Sequence, residues 1–420
     1  MELFHKLGAE VEETWRAKNY NEEVFPAIAS EALRRADLPS KISAWEVIEW
    51  TLGETELPPQ KDPAARFGNP PITLFVSPRF YIDVYFWLDG TTAVHQHGFA
   101  GAFQVLLGSS IHSWYEFDRT EAVNSFVEIG EMSLKVCELL KVGDVQEIRP
   151  GRQYIHSLFH LDQPSATIVV RTDKSPLYLP QFAYYKPSLA IDPFYEHETT
   201  TRKIQAANVL FQVNHADTDR LINQMLETSD FHTSFLILSF VHERLRSQPL
   251  GQLFNLDAKS DRFERYLETV CRRHGAKADR LDEGFRYRDS LNEIVRRRSY
   301  VTDPEHRFFF ALLLNLDDRD TILRLIGSKF PGIDPVEKIL DWTHDLAQTR
   351  VVGVNIPNAL GIEGFEAVDL SILEAFLRGR SEAEARDSLE SDYGAERLAA
   401  IDVDRKVARI RESVIFKPLL

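Results

Sequence analysis

Between Ile72 and about Tyr185 apolar residues recur at every second position, whereas before and after that span they recur at helical intervals. The segment FYIDVYFWLDG (80–90) is aromatic and β-branched and ends in a turn signal, as a strand should. SIHSWYEFD (110–118), MSLKVCELL (132–140), DVQEIRPG (144–151) and SATIVVRT (165–172) follow, separated by Gly, Asp or Pro. Many short strands joined by short turns predict an antiparallel sandwich or barrel.

The flanking text is helical. In residues 2–47, Val11, Trp15, Val24, Ile28 and Leu33 fall at helix-compatible spacings among charged residues. The proline-rich stretch 55–71 resembles neither element type and marks a boundary. After Pro193, Asp217 or Thr218 can cap a helix with Leu221, Ile222, Met225 and Leu226 on one face. Residues 235–241 and 308–314 are apolar on nearly all sides, which suits helices buried between others. Asp303-Pro304 and Asp334-Pro335 each set a capping carboxylate before a proline at the first helical position, and Glu337 would extend the second into a capping box. The expectation is an α+β multidomain protein: an N-terminal helical segment over 1–60, a central antiparallel β-barrel over 61–192, and an all-α lobe of about eight short helices over 193–420. No repeat of about 30 to 45 residues stands out in the lobe.

Charge and cysteine content narrow the partners. At 420 residues with 44% hydrophobic and 27% charged content, the chain has ample material for a core. A formal net charge of -15 opposes a general affinity for nucleic acid or anionic membrane, which leaves small molecules or proteins. Cys137 and Cys271 stand far apart and outside any C-x-x-C spacing, so no disulfide framework or zinc ribbon is available. The first residues lack the basic and apolar regions of a secretory signal, and no run reaches the ~18 apolar residues of a membrane span. A cytoplasmic protein in a reducing compartment is expected.

The chemistry gathers in two stretches. On a strand, His95 and His97 point to the same face and could hold one metal ion. His156 follows a turn in GDVQEIRPGRQYIHSLFH (143–160) and could bring a third nitrogen from another strand. A lone histidine is more often structural than a ligand, so the glycine frame around these residues matters.

That frame resembles the two motifs of the cupin superfamily. The first is matched by Gly90, His95, His97 and Gly108, and the second by Gly143, Pro150, Gly151 and His156. The run from Gly90 to His95 is one residue shorter than the family pattern, and Pro150 adjoins Gly151 where the family has one residue between them. Many cupins also carry a glutamate three or four residues after His-x-His, where this chain has Gly101 and Ala102. Without it the metal would see three neutral imidazoles. Such a site is similar to the thiol dioxygenases, the cysteine and cysteamine dioxygenase-like cupins, and HQHGFAGAFQVLLGS and HSLFHLDQPSATIVV are similar to that branch.

The resemblance implies Fe(II) on His95, His97 and His156, with dioxygen and a small thiol- or amino-acid-like substrate. Imidazole alone does not choose among iron, zinc, copper and nickel, and a non-redox use of the site would work with zinc, manganese or nickel. His160, on the same strand face as Tyr154 and His156, could be a hydrogen-bond partner of a ligand, an acid or base, or a fourth ligand. Arg79, Arg152 and Arg171 are candidates for a substrate carboxylate, with Arg79 preferred because it enters the strand before the first motif. Tyr81, Tyr85 and Trp114 could line the pocket. His344 shares the polar face of its helix with Asp341 and Asp345, and Arg296 to Arg298 complement a helix C-terminus, so neither is read as a site. Two alternatives stay open: a non-redox metallocupin (isomerase, lyase or hydrolase), and a ligand sensor whose helical lobe binds a protein. The lobe could equally close over the barrel mouth or build a homo-oligomer.

Overall fold

The computed structural model describes residues 1–61, 63, 68, 70–88, 93–247, 256–351 and 356–420. Gly90 and part of the proline-rich stretch 55–71 lie outside the described residues.

Three helices open the chain: α1 (Glu2–Arg16), α2 (Phe25–Ala36) and α3 (Ala44–Gly53), the last begun by a capping box between Ser43 and Glu46. The strands are β1 (Pro71–Val76), β2 (Phe80–Trp87), β3 (His95–His97), β4 (Gly101–Leu107), β5 (Ser110–Asn124), β6 (Val127–Leu140), β7 (Val145–Ile148), β8 (Gly151–His160), β9 (Ser165–Thr172), β10 (Ala183–Tyr185) and β11 (Leu189–Ile191). Then come α4 (Glu198–Gln212), α5 (Thr218–Thr228), α6 (Phe231–Ser247), α7 (Leu256–His274), α8 (Lys277–Ser299), α9 (Pro304–Asn315), α10 (Arg319–Lys329), α11 (Pro335–Gln348), α12 (Ala367–Leu377), α13 (Glu382–Tyr393), α14 (Ala395–Leu398) and α15 (Val403–Glu412).

All pairings among the described strands are antiparallel. Six strands close into a barrel in the order β10-β11-β6-β5-β8-β3, and a five-stranded sheet runs β1-β2-β9-β4-β7. A closed antiparallel barrel accompanied by many helices agrees with the expected α+β class.

Strand alternation decides what each face meets. On β2 and β9, Ile82, Val84, Phe86, Ala166, Ile168 and Val170 pack outward into one core with Phe4, Leu7, Val11 and Trp15 of α1 and Phe25 and Leu33 of α2. The alternate residues, Tyr81, Asp83, Tyr85, Trp87, Thr167, Val169 and Arg171, turn inward to a cavity. The outer face of the barrel is covered in the same way. Ile111, Cys137 and Phe159 join the core of α9 to α13 and α15, while Val127, Ile129, Leu189 and Ile191 join that of α4 to α8.

The structure departs from the sequence expectation in three respects. β5 and β6 extend beyond 110–118 and 132–140: the polar, largely exposed end of β5 pairs through the backbone with the buried start of β6 at residues 127–130, with register shifts at Arg119/Glu121 and Ala122/Asn124. Twelve helices follow Pro193 among the described residues where about eight short ones are expected, and α7 and α8 run to 19 and 23 residues. Asp334 caps α11 through the Val336 amide as expected, but Glu337 forms no capping box; its carboxylate is drawn to Arg378 at 2.6 Å. None of the described helices is long and apolar enough to cross a membrane.

Candidate metal centre

β3 is three residues long, and alternation sends its two histidines one way and Gln96 the other. Gln96 is anchored by the Tyr184 hydroxyl at 2.6 Å and by the carbonyl of Pro180 at 3.0 Å, which fixes the strand's roll. β8 lies alongside, with His156 opposite His95 in register. It starts at Gly151, whose φ of +66° is readily available only to glycine. Ligand nitrogens of His95, His97 and His156 all lie within 4.8 Å of one another.

Burial holds all three imidazoles below the usual histidine range, His97 and His156 furthest, so they are neutral near pH 7 and offer lone pairs. His95 Nδ1 donates to the carbonyl of Ala93 at 2.7 Å, which puts the lone pair on Nε2. The Nε2 atoms of His97 and His156 are 2.8 Å apart. Two nitrogens bound at right angles to one ion, each ~2.1 Å from it, would be about 3.0 Å apart. The donor set therefore fits a divalent transition metal held on one face by three neutral nitrogens. No carboxylate belongs to the group among the described residues. Gly101 shows why none can enter at that position: a Cβ there would lie 2.3 Å from the carbonyl oxygen of Val170.

The histidines form part of the wall of a cavity of about 580 Å³. Tyr81, Tyr85, Trp87, Phe99, Phe103, Ile148, Leu158 and Val169 make most of the remainder apolar, and Asp83, Arg171, Lys61 and Lys174 supply charge. Arg171 makes no ion pair among the described residues; its guanidinium lies 3.3 Å from the centre of the Phe99 ring, whose other neighbour is His97 at 4.5 Å.

Of the residues expected at the site, the three histidines come together, and Tyr81, Tyr85 and Arg171 line the cavity. The others are placed elsewhere. Arg79 is exposed in the turn before β2, and its guanidinium lies over Tyr20 at 4.3 Å, because Phe80 is the first residue to enter the sheet. Arg152 neutralises the buried carboxylate of Glu128, together with Arg119, and packs on Phe182. Trp114, 38% exposed, sits on β5 just before a register shift and does not reach the cavity. Tyr154 is buried against His156, yet its hydroxyl turns away to His112 Nε2 at 2.8 Å, and His112 Nδ1 meets Glu138 at 3.0 Å. His160 does share the strand face, but Trp87 stacks on it at 4.4 Å, and its Nδ1 faces the hydroxyls of Ser165 at 2.8 Å and Ser110 at 3.2 Å. It is a core residue behind the cavity wall.

Asp83, Trp87, Phe99 and Phe103 were absent from the expected set. Asp83 and Trp87 share the parity of Tyr81 and Tyr85 on β2, a signal the period of two already carries.

No family model matches this chain, and neither does any curated protein. Solved structures similar to part of it include hydroquinone 1,2-dioxygenase from Sphingomonas sp. TTNP3 with 4-hydroxybenzoate bound, at 11% identity over 27% of this chain and 72% of that one, TM-score 0.21. A cupin-2 domain containing protein from Shewanella frigidimarina aligns at 10% identity over 32% of this chain and 97% of its own, TM-score 0.19. Recombinant oxalate oxidase in complex with glycolate aligns at 15% identity over 30% and 61%, TM-score 0.20. At these values the likenesses carry no argument about activity.

Proposed function

We propose that this chain is a metal-dependent cupin enzyme and, within that class, an Fe(II) oxygenase acting with dioxygen on a small organic substrate of the thiol- or amino-acid-like kind. The observation that carries the reading is the convergence of three neutral imidazoles on the wall of a sizeable cavity, in a group that holds no carboxylate among the described residues. His95, His97 and His156 would hold the ion. Bound there, ferrous iron would supply Lewis acidity towards the substrate and the electrons that activate dioxygen.

The chain's own residues supply binding and protection. Arg171 takes the role expected of Arg79, presenting a guanidinium to a substrate carboxylate from the cavity wall. Tyr85 donates its hydroxyl proton to Asp83 at 3.1 Å, and burial pushes its phenol well up, so it remains a donor. The aromatic walls exclude water from the reacting end. Cores shared between the barrel and the C-terminal helices support reading residues 193–420 as a brace for the β-barrel domain.

A non-redox metallocupin is the second reading, favoured by Asp83, a carboxylate on the cavity wall suited to accept a proton. Oxygen-electrode traces of iron-loaded and zinc-loaded protein, recorded with carboxylate and thiol candidates, separate the two. Uptake with iron alone supports the oxygenase; substrate turnover with either metal and no uptake replaces it with the second reading.

A further inference from the structure

The cavity is larger and more apolar than a thiol amino acid requires. Its roughly 580 Å³ equals the volume of about 20 liquid waters at ~30 Å³ each, and lies within the range that holds drug-sized ligands. One part of the wall is hydrocarbon: Trp87, Phe103, Ile148, Leu158 and Val169 come from five different strands. The Trp87 indole N–H is already satisfied by the Thr167 hydroxyl at 3.2 Å, so the ring presents carbon to the cavity and seeks no ligand acceptor. Phe103, Val169 and Leu158 also belong to the buried core between the sheets, which makes this lining a fixed surface. A molecule the size of cysteine would leave most of such a space as water against carbon.

We infer that the substrate carries an apolar body of aromatic size, which fills the pocket lined by Trp87, Phe103, Ile148, Leu158 and Val169, in addition to the polar group that meets the histidines. This rests on the proposed metal-dependent enzyme but concerns a different part of the cavity. Val169 is the position where size is set: it lies on β9 between Thr167 and Arg171, all three facing the cavity. A larger side chain there takes up ligand volume.

Calorimetric titration of the full-length protein with propionate, 3-phenylpropionate and L-cysteine tests the inference, with and without prior chelation of metal. 3-Phenylpropionate should bind at least about 30-fold more tightly than propionate, since each buried methylene contributes about fourfold in affinity. Val169→Phe should remove most of that difference. Equal affinities for the two acids in the unaltered protein, or tightest binding by L-cysteine, would overturn the inference whatever the variant does. An unchanged preference in folded Val169→Phe would also overturn the assigned position. The two proposals fail separately. Protein that holds no metal yet prefers the aromatic acid contradicts the enzyme reading alone, and metal-bearing protein indifferent to the ring contradicts this one alone.

Discussion

The Nε2 atoms of His97 and His156 face each other across 2.8 Å in the wall of the cavity, although they come from separate strands, β3 and β8. Burial keeps both rings neutral. Two lone pairs at that distance repel, so either one ring donates its proton to the other or a cation takes both. With His95 adding a third nitrogen whose tautomer is set by Ala93, a shared cation satisfies all three.

The missing carboxylate is a property of the backbone and not a vacancy open to substitution. Gly101→Ala should lose about 1–3 kcal/mol of stability, since its Cβ would sit 2.3 Å from the Val170 carbonyl oxygen and the sheet would have to shift. Gly101→Glu should lose more and gain no fourth ligand. Denaturant midpoints measure both, and an unaltered midpoint in Gly101→Ala would contradict the close approach.

His160 gives the protein an acid-sensitive core. Burial lowers its folded pKa to about 3, whereas an unfolded histidine titrates near 6.5. Its contribution is complete above about pH 6.5 and is lost as pH falls towards 3, because only the unfolded chain takes up the proton there. His160→Asn should flatten the fall of unfolding free energy between pH 6 and 4 by up to about 1.4 kcal/mol per pH unit. Parallel pH curves for the two proteins would show that the imidazole is not held neutral.

The C-terminal helices are expected to be indispensable to the barrel. A chain ending at residue 195 would uncover Ile111, Cys137 and Phe159 on one flank and Val127, Ile129, Leu189 and Ile191 on another. It should be insoluble or aggregated by size-exclusion chromatography. A monodisperse, cooperatively folded fragment would contradict the shared cores.

Tyr154 tests whether proximity to a ligand means participation. Tyr154→Phe removes the hydroxyl bonded to His112 Nε2 and should cost about 0.5–1.5 kcal/mol of stability with metal content unchanged. Loss of metal from a folded Tyr154→Phe protein would put the phenol in the site after all.

Much of this was legible in the sequence because strands and motif spacing are local signals. The period of two gave β9 its bounds at 165–172, and it placed His95 with His97 on one face. What escaped depends on which strands become neighbours. Arg152 and Arg171 look equivalent along the chain, but β8 carries Arg152 to the buried Glu128 while β9 carries Arg171 to the cavity. The same holds for His160, since only the tertiary fold lays Trp87 across it. Glu337 was lost to a competing cation, Arg378, that no local capping pattern reveals.

The most direct test is the transition-metal content of purified protein, measured by elemental analysis for the unaltered chain, His97→Ala and His156→Ala, with folding checked by circular dichroism. One divalent ion per chain is expected, falling to a small fraction of that in each folded variant. A metal-free protein after supplementation with iron, zinc, manganese and nickel, or variants that retain their full complement, would contradict the three-histidine centre.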